Sequence, residues 1–165
     1  MSLIKTITTI AFTFSVLTSF AEEHKHHHHH TSPIEGLSPE LRQLLGKEMR
    51  ALQGGMQSII PAYISGDWEQ IAKTAHKMKN SYILKQSLTD AQIKELHHSL
   101  PKSFLKQDHQ FHYLAGMLEH AAKHKKPELV NFYFSEMNEA CVSCHTDFAT
   151  HRFPKLKKEE KGHHH

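Results

Sequence analysis

The chain has 165 residues, of which 22% are charged, and its formal net charge is +3 with histidine counted as neutral. Lysine and arginine are spread along the sequence rather than concentrated in a stripe. The charge pattern therefore gives no indication of nucleic-acid binding, although it excludes no class of protein. Between two tails of biased composition lie roughly 115 residues, which is the usual size of one domain.

Residues 1–21 have the features of a secretory signal peptide. Lys5 provides the positive charge, an apolar stretch follows over 7–20, and Ala21 ends a cleavage site with small residues. Cleavage there would start the mature chain at Glu22 and remove one lysine, which leaves a net charge of +2. The stretch is short for a membrane span, so we expect a soluble periplasmic protein without stable membrane insertion. An uncleaved N-terminal anchor is the alternative.

Both ends of the mature chain have compositions that cannot build a core. Residues 22–37 include five consecutive histidines at 26–30, and residues 155–165 end in three more. We expect both segments to be disordered and the folded domain to span 38–154. A solvated spacer is the favoured interpretation of the histidine-rich tail, and binding of nickel, copper or zinc is its alternative.

The first predicted helix begins with Ser38 as N-cap and Pro39 at the first helical position, and Gly66 ends it. Its apolar residues recur at steps of three and four, which predicts one inward-facing stripe. The stripe contains Leu41, Leu45, Met49, Leu52, Met56, Ile59 and Tyr63.

Three further long helices are predicted in chain order. The second begins at Asp67, whose partner in a capping box would be Gln70, and its inner face runs to Tyr82. A short helix capped by Ser87 or Thr89 follows, and the third long helix covers 103–124. The fourth begins at Pro127. No segment alternates with period two, so we predict an all-α antiparallel four-helix bundle.

The fourth helix contains the sequence Cys141-Val142-Ser143-Cys144-His145, which holds both cysteines of the chain. C-x-x-C-H is the attachment sequence of c-type haem, in which the two thiols bond to the porphyrin and the histidine binds iron. On a helix, positions 141, 144 and 145 fall within an arc of about 100°. We therefore expect one covalently bound haem c, held near the end of the last helix.

Two other uses of the cysteines are less well supported. A redox dithiol of the thioredoxin type would follow a strand and lie at a helix N-terminus, whereas this motif lies late in a helix. A structural zinc site would need four ligands, and a second pair at finger spacing is missing.

With these elements the chain resembles the class II c-type cytochromes, the cytochrome c′ and c556 group, over about 38–153. The resemblance is carried by the methionine-bearing first helix, the Pro127 start and the haem motif with Thr146-Asp147-Phe148. It implies an exported four-helix bundle with His145 as the proximal iron ligand. Most of these cytochromes carry an arginine four residues after that histidine. This chain has Ala149 at that position, and Arg152 follows three residues later.

The resemblance also implies that the residue opposite the haem comes from the first helix. Met49 is the chosen distal ligand because it lies on the inner stripe, and Met56 is the fallback. His112, one turn beyond Asp108, is a third alternative, since a carboxylate can orient a ligating imidazole. The fourth alternative is that no protein side chain occupies the sixth coordination position of the iron.

The leading functional hypothesis is a periplasmic electron carrier that works with redox partner proteins. The sequence leaves open whether the protein forms a homodimer. The rival hypothesis is a five-coordinate protein that binds nitric oxide or carbon monoxide, and metal binding by the histidine tails is a third. No distal acid–base group is evident for peroxidase chemistry, so we do not expect an enzyme.

Overall fold

The computed structural model describes residues 32–157, and within this range every regular element is helical. The all-α prediction is therefore confirmed for this part of the chain. The predicted signal peptide, the histidine run at 26–30 and residues 158–165 lie outside it. Among the helices that are described, none is both long and apolar enough to cross a membrane.

Between residues 32 and 157, six α-helices and two short 3-10 segments follow one another. The α-helices are α1 (Pro39–Ser65), α2 (Trp68–Lys79), α3 (Leu84–Ser87), α4 (Asp90–Ser99), α5 (Lys102–Lys123) and α6 (Pro127–Phe148); the 3-10 segments are Pro33–Gly36 and Pro154–Leu156. The closest packing of backbones joins α2 to α5 and α5 to α6, and α1 also packs on α2. Helix α5 thus lies between two neighbours.

Four of the predicted helix boundaries are confirmed by their capping contacts. The Ser38 hydroxyl accepts the amide N–H of Leu41, and the Asp67 carboxylate accepts that of Gln70. Gly66 ends α1 with φ of 71°, in the left-handed region that glycine adopts without a steric penalty. Thr89 forms a complete capping box at the start of α4. Local sequence thus fixes these boundaries.

The second predicted helix ends earlier than expected, at Lys79 rather than near Tyr82. The cause is Glu48 of α1, whose carboxylate accepts the amide N–H groups of Tyr82, Ile83 and Leu84 at 2.9, 2.6 and 3.3 Å. These amides turn toward a buried carboxylate instead of continuing the helix, and α3 starts there.

Two predicted domain boundaries also need correction. The N-terminal tail was expected to extend to residue 37, yet Pro33–Gly36 forms a 3-10 turn and Leu37 is 3% exposed. The Ser32 hydroxyl donates to the carbonyl oxygen of Phe148 at 2.6 Å. At the other end, the 3-10 segment continues to Leu156. The ordered part therefore begins before residue 38 and continues beyond 154.

The apolar interior consists of two clusters. The first cluster is built from α1, α2, α5 and α6; its buried members are Met56, Ile59, Ala62, Ile71, Ala72, Ala75, Met78, Phe111, Leu114, Ala115, Leu118, Ala121, Ala122, Val130 and Met137. The second cluster is smaller and consists of Leu37, Leu41, Leu45, Leu100 and Phe104.

Candidate functional site

The complete C-x-x-C-H motif lies inside α6, as predicted. Cys141, Cys144 and His145 are all half-buried, whereas Val142 is 46% exposed and Ser143 is exposed. The three chemically active side chains therefore occupy the inner side of the helix and the two intervening residues its outer side. This is the arrangement expected from helical spacing.

The motif lies where the two apolar clusters adjoin α6. Cys141 packs against the first cluster, and Cys144 and Phe148 pack against the second. The Phe148 ring meets the Phe104 ring edge to face, with centroids 5.3 Å apart. A flat apolar ligand bonded to both sulfurs would contact both clusters.

Both cysteines are free thiols in an environment that disfavours the thiolate. Burial raises the pKa of the Cys141 thiol. Burial and then the negative charges of Asp108, Cys141 and Asp147 raise the pKa of Cys144 to about 11. Reactive redox cysteines instead occur where the thiol pKa is lowered. The electrostatics therefore give no support to a redox dithiol.

The His145 imidazole is held against an aromatic ring. Its plane lies 11° from that of Phe153, and the two centroids are 4.4 Å apart. Burial lowers the pKa of His145, which favours the neutral form. A neutral imidazole is the form that binds a metal ion.

Helix α5 contributes polar groups beside the motif. Gln107 donates its side-chain N–H to the Asp147 carboxylate of α6 at 2.7 Å. The other end of this amide, Oε1, is buried and has no hydrogen-bond partner among residues 32–157. The bond between Gln107 and Asp147 thus joins α5 to α6 two residues beyond His145.

The predicted distal ligand Met49 does not lie on the buried face of α1. Its side chain is 37% exposed and belongs to neither cluster, whereas the adjacent Glu48 is 1% exposed. The buried stripe is therefore displaced by one residue at this turn, because Glu48 turns inward to bind the amides of 82–84. The placement of Met49 on the inner stripe is corrected; its binding to iron stays a prediction.

The two other candidate ligands are placed differently. Met56 is buried in the first cluster, the one against which Cys141 packs. His112 has both ring nitrogens engaged: Nδ1 lies 2.7 Å from the carbonyl oxygen of Met78 and Nε2 lies 3.5 Å from Asp108 Oδ1. In the neutral ring, the hydrogen on Nδ1 leaves the lone pair on Nε2, so the binding of iron by His112 stays a prediction.

The described clefts lie away from the motif. One, of about 610 Å³, is bordered by α2 and α5 and includes His76, Glu119 and Lys123. Another, of about 180 Å³, lies between Tyr63 and Phe134. Over residues 32–157, no three or more histidine, cysteine or acidic side chains converge as a metal site. The chemistry of the site therefore depends on the thiols and imidazole of α6.

Comparisons with protein-family models, with curated proteins and with solved structures found no match to this chain.

The sequence predicted the motif and its helical face but missed the buried Glu48 on α1 and two side chains beside the motif, Gln107 and Phe153. Glu48 looks like a surface residue on a helix, and its amide partners lie 34–36 residues away. Gln107 and Phe153 carry no local signal for contact with α6. Their roles depend on which helices become neighbours.

Proposed function

We propose that this chain is an exported mono-haem c-type cytochrome of the four-helix-bundle class and that it transfers electrons. The observation that carries the proposal is the half-buried face of α6, which presents Cys141, Cys144 and His145 together. Two thiols and one neutral imidazole on a single helix face are the donor set of haem c. The long helices α1, α2, α5 and α6 would form the antiparallel bundle.

Haem attachment would use the thiols as they stand. Each thiol adds its S–H across one vinyl group, so that an S–C bond and a C–H bond form while the S–H bond and the vinyl double bond are consumed. No oxidant is needed, but both sulfurs must be reduced and unpaired, as Cys141 and Cys144 are.

The haem c would supply a one-electron iron couple. His145 would bind the iron, and the stack against Phe153 would hold its ring plane. The apolar side chains of both clusters would exclude water, which favours the less charged ferrous state and raises the reduction potential.

A second candidate function, reversible binding of nitric oxide or carbon monoxide, is favoured by a specific observation. The α1 side chains that share a cluster with Cys144 are Leu41 and Leu45, and neither can bind iron. If they face the haem, the sixth position is open to a gas. If Met49 turns inward, that position is filled and electron transfer is favoured.

The test uses the full chain exported by a bacterium with a haem c maturation system. The pyridine haemochrome spectrum should show one haem per chain, with none in the double variant Cys141→Ser/Cys144→Ser. Ser143→Ala, on the outer side of the same helix, is the matched control and should retain the full haem content. Equal haem content in the double variant would overturn covalent attachment.

Ferric and ferrous spectra of the same protein separate the two functions. A low-spin ferric spectrum that becomes high-spin in Met49→Ala, together with a ferrous form that reacts slowly with carbon monoxide, would indicate methionine ligation and electron transfer. High-spin haem that binds carbon monoxide at once, unchanged by Met49→Ala, would indicate gas binding. Low-spin haem that persists in Met49→Ala but is lost in Met56→Ala would identify the fallback ligand.

A further inference from the structure

Two histidines lie side by side at the end of α5, away from the cysteine motif. His120 and His124 are one helical turn apart and both are exposed. Their ring centroids are 4.2 Å apart and their planes are inclined by 38°. Residues four apart on a helix share a face, so both imidazoles can address one ion from the same side.

The turn that carries the pair is fixed by two hydrogen bonds to one atom. The backbone N–H of His124 donates to the carbonyl oxygen of His120 at 3.2 Å, and the ring Nδ1 of His124 lies 2.8 Å from the same oxygen. Because a carbonyl oxygen only accepts, Nδ1 carries the hydrogen. In the neutral ring the lone pair is then on Nε2, which is free to bind a metal ion.

The electrostatic setting at this helix end tolerates a cation despite the lysines nearby. The C-terminus of a helix carries a partial negative charge. Lys123, the closest lysine in sequence on α5, has its Nζ 2.5 Å from Glu119 Oε1, so its charge is compensated. Lys125 and Lys126 belong to the turn that follows and are exposed to solvent.

We propose that His120 and His124 form a binding site for a divalent transition-metal ion. Imidazole suits Cu²⁺, Ni²⁺ and Zn²⁺, and the order of intrinsic affinities places Cu²⁺ first. Two ligands come from the helix and water completes the coordination, because no third histidine, cysteine or acidic group joins them within residues 32–157. Such a site exchanges its ion readily, and it does not depend on haem.

The experiment must separate this pair from the histidine-rich tails. We use the full-length protein in which the histidines at 24, 26–30 and 163–165 are replaced by asparagine and both cysteines by serine, and titrate it with Cu²⁺ by calorimetry. One equivalent should bind. His120→Ala and His124→Ala should each weaken binding by at least about tenfold, since loss of even an outer-shell partner costs that much at metal sites.

The chain offers a matched control in His97 and His98, which are also exposed and also lie in the last turn of a helix. They are adjacent in sequence and therefore point in different directions. His97→Ala and His98→Ala should leave the Cu²⁺ affinity unchanged within a factor of two or so. If they weaken it as much as His120→Ala does, binding is a general property of surface histidines and the proposal is wrong.

Thermal unfolding gives a second readout. An ion that bridges His120 and His124 binds only the folded helix, so excess Cu²⁺ should raise Tm. The rise should disappear in either single variant, and circular dichroism should show that the exposed substitutions leave the helix content unchanged. Unchanged Cu²⁺ affinity in both His120→Ala and His124→Ala would overturn the proposal, whatever the haem content.

Discussion

The two apolar clusters differ in composition and in what they contact. The first contains fifteen buried residues, six of them alanines that let the helices approach closely, above all α2 and α5. The second contains only five, all leucine or phenylalanine, and it packs against Cys144 and Phe148. The difference indicates that the first cluster provides most of the stability, while the second shapes one side of the candidate haem site.

The largest expected effect is a cavity in the first cluster. Leu118 is fully buried, and Leu118→Ala should lower the free energy of unfolding by about 2–5 kcal/mol. Urea denaturation of the haem-loaded protein measures it. Leu41→Ala, equally buried but in the second cluster, is the matched control. Only Leu41→Ala should change the haem spectrum; a comparable change in Leu118→Ala would remove the distinction between the clusters.

The next effect concerns the buried carboxylate of α1. Glu48→Gln should lower the free energy of unfolding by about 2 kcal/mol, because the three amides of 82–84 lose charge-assisted hydrogen bonds. Chemical denaturation measures it, with the exposed Glu40→Gln as control. Equal stability of the two variants would show that Glu48 does not hold the turn after α2.

Glu119 should make stability depend on acid pH. Burial acts to raise its pKa, but hydrogen bonds from Lys123 and His76 and the charges of Lys123 and Lys79 outweigh it, so the pKa is lowered. Its contribution is therefore present above the ordinary glutamate value of about 4.3 and is lost as pH falls through the folded pKa. Glu119→Gln should lower Tm at pH 7, and Tm should then fall less steeply toward acid pH than in the parent protein. An equally steep fall in the variant and the parent would contradict this.

His112 should make stability depend on pH in the opposite sense to Glu119. Burial and Lys85 lower its pKa, but the hydrogen bond and charge of Asp108 and the Met78 carbonyl outweigh them and raise it. Its contribution is present below the ordinary histidine value of about 6.5 and is lost as pH rises through the folded pKa. His112→Gln should therefore lower Tm more at pH 5 than at pH 9. The reverse order would contradict the pairing with Asp108.

The smallest effect is expected at Phe153, whose ring is 43% exposed and stacks on His145. Phe153→Ala should cost about 0.5 kcal/mol, the lower end for an aromatic pair. It should nevertheless shift the iron–histidine stretching frequency in the resonance Raman spectrum of the ferrous protein. Val142→Ala, on the outer side of α6, should not. An unchanged frequency in Phe153→Ala would mean that the stack does not orient the proximal ligand.

The sequence was sufficient for features that depend on neighbours in the chain. Ser38, Gly66, Asp67 and Thr89 mark helix ends through contacts within four residues, so the caps were predictable. The helical face that Cys141, Cys144 and His145 share was predictable for the same reason, since their spacing places them together whatever surrounds them.

Features that depend on distant neighbours were not predictable. The periodic pattern predicted that Met49 is buried and that Glu48 is exposed, because glutamate is usually found at the surface. Only the packing of α1 beside the 82–84 amides makes a buried carboxylate favourable. The contact between His112 Nδ1 and the Met78 carbonyl was not predictable for the same reason, since it joins residues 34 apart.

The most direct test of the central claim is the intact mass of the protein purified from the periplasm of a host that matures c-type cytochromes. The account predicts a single species whose mass equals the chain from Glu22 plus one haem, and which keeps the haem after denaturation. A species with the mass of the polypeptide alone, from a host that loads a control cytochrome in the same culture, would contradict it.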